Sequence, residues 1–272
     1  MRVVALLFAT VALTGCGGAD HAEEATTVVA AFYPLAWAAE QIGGEETHVV
    51  NLTPPGAEPH DIELSPRDVE AVRGADLVVY VGSGFQSAVE DAVAQRDGSS
   101  LDVSGGDQDP HVWLDPVRFA RIAEEIGDAL GRPEAGRELA RRLRGLDRDY
   151  MTGLAHCERR TLVTTHAAFG HLAARYGLTQ IPLAGRSPEA EPSPRELERL
   201  VDEVRESGAT TVLAEPLVSS RLAETVAREA GAKVAVLDPI EGLTEEQLAG
   251  GEDYLSVMRR NLATLKEALG CG

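Results

Sequence analysis

Residues 116–156 read PVRFARIAEEIGDALGRPEAGRELARRLRGLDRDYMTGLAH. No strand-like run interrupts this stretch. Pro133 divides it into two helices, because proline is favoured at the first position of a helix. The second helix runs from 134 to about 155 and carries leucines at 139, 143, 146 and 154. On either side, short β-branched runs alternate with longer amphipathic stretches. Residues 27–31, 47–52, 76–81 and 101–103 precede the section as strand candidates, and 161–165, 179–182, 210–214 and 233–237 follow it. That rhythm predicts an α/β protein with parallel sheets, built as two lobes joined by one long helix. The lobes are placed at 26–133 and 158–272, with the linking helix at 134–157. Helix starts agree in both lobes: Ser65-Pro66-Arg67-Asp68 and Ser193-Pro194-Arg195-Glu196 each offer a serine cap, a proline at the first helical position and an acid three residues after the serine. No repeat is strong enough to make the lobes duplicates.

The N-terminus reads as an export signal. Arg2 is followed by an apolar run from 3 to 13, broken only by Thr10. This suits a signal-peptide core and falls short of the roughly 20 residues a membrane helix needs. Leu13-Thr14-Gly15-Cys16 resembles a bacterial lipobox, so residues 1–15 are expected to be removed and Cys16 lipidated. Residues 16–25 are mostly small, polar or acidic, as in a flexible tether.

Twenty-five basic residues against 44 acidic ones give a formal charge of −19, which excludes a nucleic-acid-binding role because phosphate contacts need a basic face. Besides Cys16 there are two cysteines, Cys157 and Cys271. Export permits a disulfide between them, tying the end of the linking helix to the C-terminus. Two unpaired thiols are the alternative.

Seven histidines occur, at 21, 48, 60, 111, 156, 166 and 171, and three fall where open α/β sheets bind ligands, beyond the carboxyl ends of strands. His60 sits in the proline-stiffened loop Thr53-Pro54-Pro55-Gly56-Ala57-Glu58-Pro59-His60-Asp61, and His111 sits in Asp109-Pro110-His111-Val112-Trp113-Leu114-Asp115-Pro116. His166 directly follows a strand, and Asp238 closes another before Pro239. Three imidazoles and a carboxylate complete a tetrahedral shell for a cation such as zinc. His171, five positions after His166, points roughly 140° away on a helix and is expected at most to support a ligand.

The chain resembles the metal-binding solute-binding lipoproteins of ABC importers, the ZnuA/TroA-like family. The resemblance rests on Phe32-Tyr33-Pro34-Leu35, the loop from 51 to 61, Leu64-Ser65-Pro66-Arg67-Asp68 and the segment from 109 to 116. It continues through Thr165-His166-Ala167-Ala168-Phe169-Gly170, the stretch from 185 to 194, Ala214-Glu215-Pro216, Leu237-Asp238-Pro239 and Asp253-Tyr254-Leu255. It implies two α/β lobes bridged by a rigid helix, with the metal in the interlobe cleft. His60, His111 and His166 would be ligands, with Asp238 as the carboxylate ligand or its near neighbour. Glu215 would contact a ligand or support the second lobe rather than bind metal. Relatives that carry manganese commonly have Glu at the third position. His166 therefore favours Zn(II) over Mn(II) or Fe(II), since nitrogen donors suit zinc. The family also implies a monomer anchored outside the cytoplasm by its lipid alone, partnered by a membrane permease, with metal as cargo and no enzymatic activity. Two departures stand out. Residues 97–108 hold no histidine, and Pro59 stands where some members have Glu, so Glu58 is not assigned as a ligand.

Two other readings are open to the residues. Gly82-Ser83-Gly84 after a strand, with Asp102 about twenty residues on, has the outline of a dinucleotide site but lacks its third glycine, which is Ser87 here. A surface metal hydrolase would need an open coordination position, and no His-Glu-x-x-His motif is present.

Overall fold

All four strands of the first sheet run parallel. In the computed structural model, which describes residues 25–186, 188 and 192–272, they are β1 (Thr26–Ala30), β2 (Thr47–Asn51), β3 (Leu77–Tyr80) and β4 (Ser99–Asp102). The second sheet contains β5 (Thr161–Thr164), β6 (Thr179–Pro182), β7 (Thr211–Ala214) and β8 (Lys233–Val236), also parallel. The strand orders are β2-β1-β3-β4 and β6-β5-β7-β8, so the two lobes share one topology despite their lack of sequence repeat. Helices α1 (Tyr33–Gly43), α2 (Pro66–Gly74) and α3 (Ser87–Val93) serve the first sheet. Helices α6 (Gly170–Tyr176), α7 (Pro194–Ser207), α8 (Arg221–Ala230), α9 (Glu245–Ala249) and α10 (Tyr254–Leu269) serve the second. Central strands are covered on both faces and read as continuous apolar runs: Val28, Val29 and Ala30 in β1 and Val78 and Val79 in β3 are wholly buried.

Two helices lie between the sheets, α4 (Pro116–Ala129) and α5 (Pro133–Gly153). Pro133 opens the second one, as expected. The helices cross where their backbones touch. A Cβ on Gly127 would lie 2.8 Å from the Gly136 Cα, and one on Gly136 would lie 2.7 Å from the Ala123 carbonyl oxygen. Helix α5 has 21 residues, about 31 Å of rod. Leu139, Leu143 and Leu146 are buried along it, and near its end the Tyr150 hydroxyl donates to the Met258 carbonyl of α10 at 2.7 Å. It ends at Gly153, just short of the 155 or so expected from sequence; Leu154 is buried but already outside the helix.

Both capping signals form. The Asp68 carboxylate accepts from the Ser65 main-chain N–H at 2.9 Å, and Glu196 does the same for Ser193 at 2.9 Å. Cys157 and Cys271 are joined in a disulfide that closes a 114-residue separation. The flanking chains are also paired, through Arg159 N–H to Leu269 O at 3.0 Å and Gly272 N–H to His156 O at 3.1 Å. Cys16 and His21 lie outside the described residues. Among the described residues, no helix is long and apolar enough to cross a membrane.

The main hydrophobic core is not confined to one lobe. It runs from β1 and β3 through α4 and α5 to Tyr254, Val257 and Met258 of α10, with Phe169 and Leu172 beside α6 included. Trp37 stacks on Tyr254 at 5.0 Å, and Phe119 packs beside it at 4.7 Å. A second, smaller core fills the space between the second sheet and α7 and α8.

Candidate metal centre

Each of four side chains enters the interlobe space from beyond the carboxyl end of a strand. His60 follows β2 on a loop whose first residues are anchored twice. The Thr53 hydroxyl donates to the Ala31 carbonyl at 2.8 Å, and the Gly56 N–H reaches the Leu243 carbonyl of the opposite lobe at 3.0 Å. The Phe85 ring supports the imidazole edge-on at 4.6 Å. His111 follows β4 and is wholly buried just before a 3₁₀ turn over Val112–Leu114. Its Nδ1 lies 2.7 Å from Asp109 Oδ1. His166 follows β5 and is also wholly buried. Glu215, after β7, accepts from its main-chain N–H through Oε1 at 3.1 Å, and Oε2 faces its Nδ1 at 2.6 Å.

The fourth side chain is Glu241, beyond β8. Its Oε1 stands 3.4 Å from His60 Nε2, 3.3 Å from His111 Nε2 and 3.3 Å from His166 Nε2. Among the described residues these four donors form one group within 4.8 Å of one another. In a tetrahedral zinc shell, bonds of about 2.0–2.1 Å place neighbouring donors about 3.3 Å apart. The spacing around Glu241 Oε1 matches that edge. His111 Nδ1 is hydrogen-bonded to Asp109, and His166 Nδ1 stands 2.6 Å from Glu215 Oε2, which leaves Nε2 of each ring facing the centre. Their Nε2 atoms are buried and have no hydrogen-bond partner of good geometry, the arrangement a divalent cation would satisfy.

Electrostatics points the same way. Burial alone would lower the His166 pKa, but Glu215 and Glu241 outweigh it and raise it to about 10. His111 is also raised, with Asp109 and Glu241 outweighing its burial. Burial would raise Glu241, yet the three imidazoles hold it well below the usual carboxylate range. Protons on these imidazoles would compete with a cation for the same nitrogens.

The carboxylate expected at Asp238 requires correction. Asp238 does not join the four-donor group. Its Oδ1 accepts from the Ile240 N–H at 2.8 Å, and its main chain is clamped by Asn261 of α10, through contacts of 3.0 and 2.6 Å. Ile240 adopts φ 57°, and this turn carries the chain three residues past Asp238 so that Glu241 faces the cleft. Burial pushes the Asp238 carboxyl up to about 6. An acid inside the apolar run Leu237-Asp238-Pro239-Ile240-Glu241-Gly242-Leu243 was the available signal for Glu241.

The supporting residues are also placed. Glu215 holds His166, as described. His171 Nε2 lies 2.9 Å from the Asp109 carbonyl, so it braces the segment carrying His111 from the other lobe. Asp109 itself was not singled out from sequence. Glu58 Oε2 accepts from the His60 N–H at 3.0 Å, its Oε1 is 3.9 Å from His60 Nε2, and burial pushes its carboxyl up to about 7. His48 and His156 are exposed and away from the group. Asp102 closes the glycine turn by accepting from Gly82 N–H and Ser104 N–H, each at 2.9 Å, which gives that strand-to-glycine pattern a structural purpose.

Two parallel-sheet lobes around a buried cluster of three imidazoles and one carboxylate define a bilobal α/β protein with a candidate cation site. Residues 28–268 match the family model described as ZnuA, zinc-uptake complex component A, periplasmic, and the chain belongs to that family. It is 34% identical to zinc-binding protein AdcA of Streptococcus pyogenes serotype M1, over 90% of this chain and 56% of that protein. The chain thus spans little more than half the length of the AdcA relatives. It is 32% identical to the high-affinity zinc uptake system protein ZnuA of Bacillus subtilis, over 98% of this chain and 96% of that one. The Zn(II)-bound ZnuA-like domain of Streptococcus pneumoniae AdcA superposes with a TM-score of 0.77 at 35% identity, covering 90% of this chain and 98% of that domain. The laminin-binding protein of Streptococcus agalactiae superposes with a TM-score of 0.81 at 32% identity, over 90% of this chain and 99% of that one.

Proposed function

We propose that the chain captures one Zn(II) between its lobes through His60, His111, His166 and Glu241 and delivers it to the membrane permease of an ABC importer. The observation that carries this reading is the single Glu241 oxygen standing 3.3–3.4 Å from three imidazole Nε2 atoms in a buried cleft. Three nitrogens and one oxygen favour zinc over manganese, which prefers an oxygen-rich shell. Four donors from the chain fill a tetrahedral shell and leave no position for an activated water, so the reading is a receptor and not a hydrolase. The zinc-binding descriptions of AdcA and the zinc-uptake description of ZnuA support the cargo. A lipidated Cys16 would hold the protein, as a monomer, on the extracytoplasmic face of the membrane, where it meets the permease. That placement agrees with a relative described as a zinc-binding lipoprotein.

Metal analysis of the purified protein, followed by calorimetric titration of the stripped form with Zn(II) and Mn(II), tests the cargo. One tight zinc site is expected, with His166→Glu shifting preference toward manganese. A manganese preference in the parent chain would overturn the zinc assignment. Co-purification of the permease with the anchored protein, lost on Cys16→Ser, tests delivery and anchoring.

A further inference from the structure

Trp113 lies two residues after His111 and is wholly buried. Its indole Nε1–H crosses from the first lobe to donate to the Pro239 carbonyl at 2.7 Å. Pro239 belongs to the turn that presents Glu241, between Asp238, clamped by Asn261, and Ile240 with its left-handed backbone. The Trp113 carbonyl in turn accepts from the Tyr254 hydroxyl of α10 at 2.6 Å. The indole ring packs 5.2 Å from the His111 ring and 4.7 Å from Phe32. One residue therefore touches a donor of the first lobe through its ring, the Glu241 turn through its N–H, and the second lobe's last helix through its carbonyl.

We infer that Trp113 is a positioning residue of the metal centre, fixing the Glu241 turn relative to His111 across the cleft before any cation arrives. This rests on the metal-binding reading above and adds to it an element, beside the Gly56–Leu243 main-chain contact, that sets the spacing between donors of different lobes. The argument is geometric. His111 and Glu241 belong to separate sheets, so their 3.3 Å approach needs a link that does not depend on the ion. The main-chain path between them exceeds a hundred residues, and the Trp113–Pro239 hydrogen bond spans it within two residues of each donor. A preset pair leaves less ordering for the metal to impose, which strengthens binding without adding a contact.

Trp113→Phe keeps an aromatic ring against Phe32 and His111 but removes the donor. Zinc affinity would be measured by chelator competition in the parent, Trp113→Phe, Glu241→Ala and the double variant. The expected result is about a tenfold loss for Trp113→Phe in the parent background. In the Glu241→Ala background the loss should shrink below about twofold, because the turn then presents no donor to misplace. Equal losses in both backgrounds would show a general structural role and overturn the inference. Exchange of the Trp113 indole N–H, followed by NMR in the metal-free protein, is a second measurement that needs no zinc. Protection well beyond that of the other tryptophan, Trp37, whose buried Nε1 has no partner, is expected. Rapid exchange would overturn the inference even if zinc binds. Failure of the parent to bind zinc, with the N–H still protected, would instead overturn the metal-binding reading.

Discussion

One Glu215 oxygen accepts from the His166 main-chain N–H at 3.1 Å, and the other stands 2.6 Å from the His166 Nδ1. The two residues follow the neighbouring strands β7 and β5, so sheet pairing sets their separation. A carboxylate behind a metal-facing imidazole fixes the ring's tautomer and raises its basicity. Glu215→Gln leaves one acceptor for two donors and is expected to weaken zinc binding by about 10–100-fold, with unfolding of the metal-free protein changed far less. Chelator competition alongside urea unfolding checks both halves.

Protons and metal compete for the same nitrogens. With the His166 pKa raised to about 10 in the metal-free protein, zinc binding at neutral pH should release protons. Affinity should rise with pH through the neutral range and fall steeply toward pH 5. Calorimetry in two buffers of different ionisation enthalpy reads the proton count directly, and zero release would contradict the raised imidazole pKa. For stability of the metal-free chain the sign is the reverse. A raised imidazole pKa stabilises fully below its unfolded value of about 6.5, and that stabilisation is lost as pH climbs toward about 10. Urea midpoints of stripped protein between pH 6 and pH 10 should therefore decline on this account.

Asp238 and Glu241 can be separated by substitution. Glu241→Ala removes a donor from the cluster and should cost at least about a hundredfold in zinc affinity. Asp238→Asn keeps an oxygen able to accept from the Ile240 N–H and should cost less than about tenfold. The reverse order would return the carboxylate role to Asp238.

Removal of the Cys157–Cys271 bridge by paired serine substitution should lower stability by about 4–5 kcal/mol in the chain-entropy picture, given the 114-residue separation. Zinc affinity should change little, because neither sulfur approaches the four-donor group. Denaturant unfolding and zinc titration of the same variant check the pair of outcomes.

Much of this architecture is readable from local signals. Among the described residues, the eight strands lie within one or two residues of the expected runs, most clearly the central ones, where burial on both faces demands continuous apolar sequence. Ser65 and Ser193 announced their helices because capping is decided within four residues. His60, His111 and His166 stood out because prolines and strand exits flank them. What stayed hidden depends on distant partners. Glu241 rather than Asp238 faces the cleft because Asn261, 23 residues later, clamps the turn. Asp109 holds His111 two residues away, yet a carboxylate in an acidic loop carries no sign of that duty. Leu154 continues the leucine spacing of α5 although the helix has already ended, because burial and helicity are separate properties there.

The disulfide gives the second lobe a different kind of continuity. From Cys157 to Cys271 the polypeptide is a closed covalent ring. Helix α10 is therefore secured at both ends, by the Tyr254 hydroxyl on Trp113 at its start and by sulfur just past its finish. Here it cannot peel away from the lobe, and a protease that cuts once inside the ring releases no fragment until the bond is reduced.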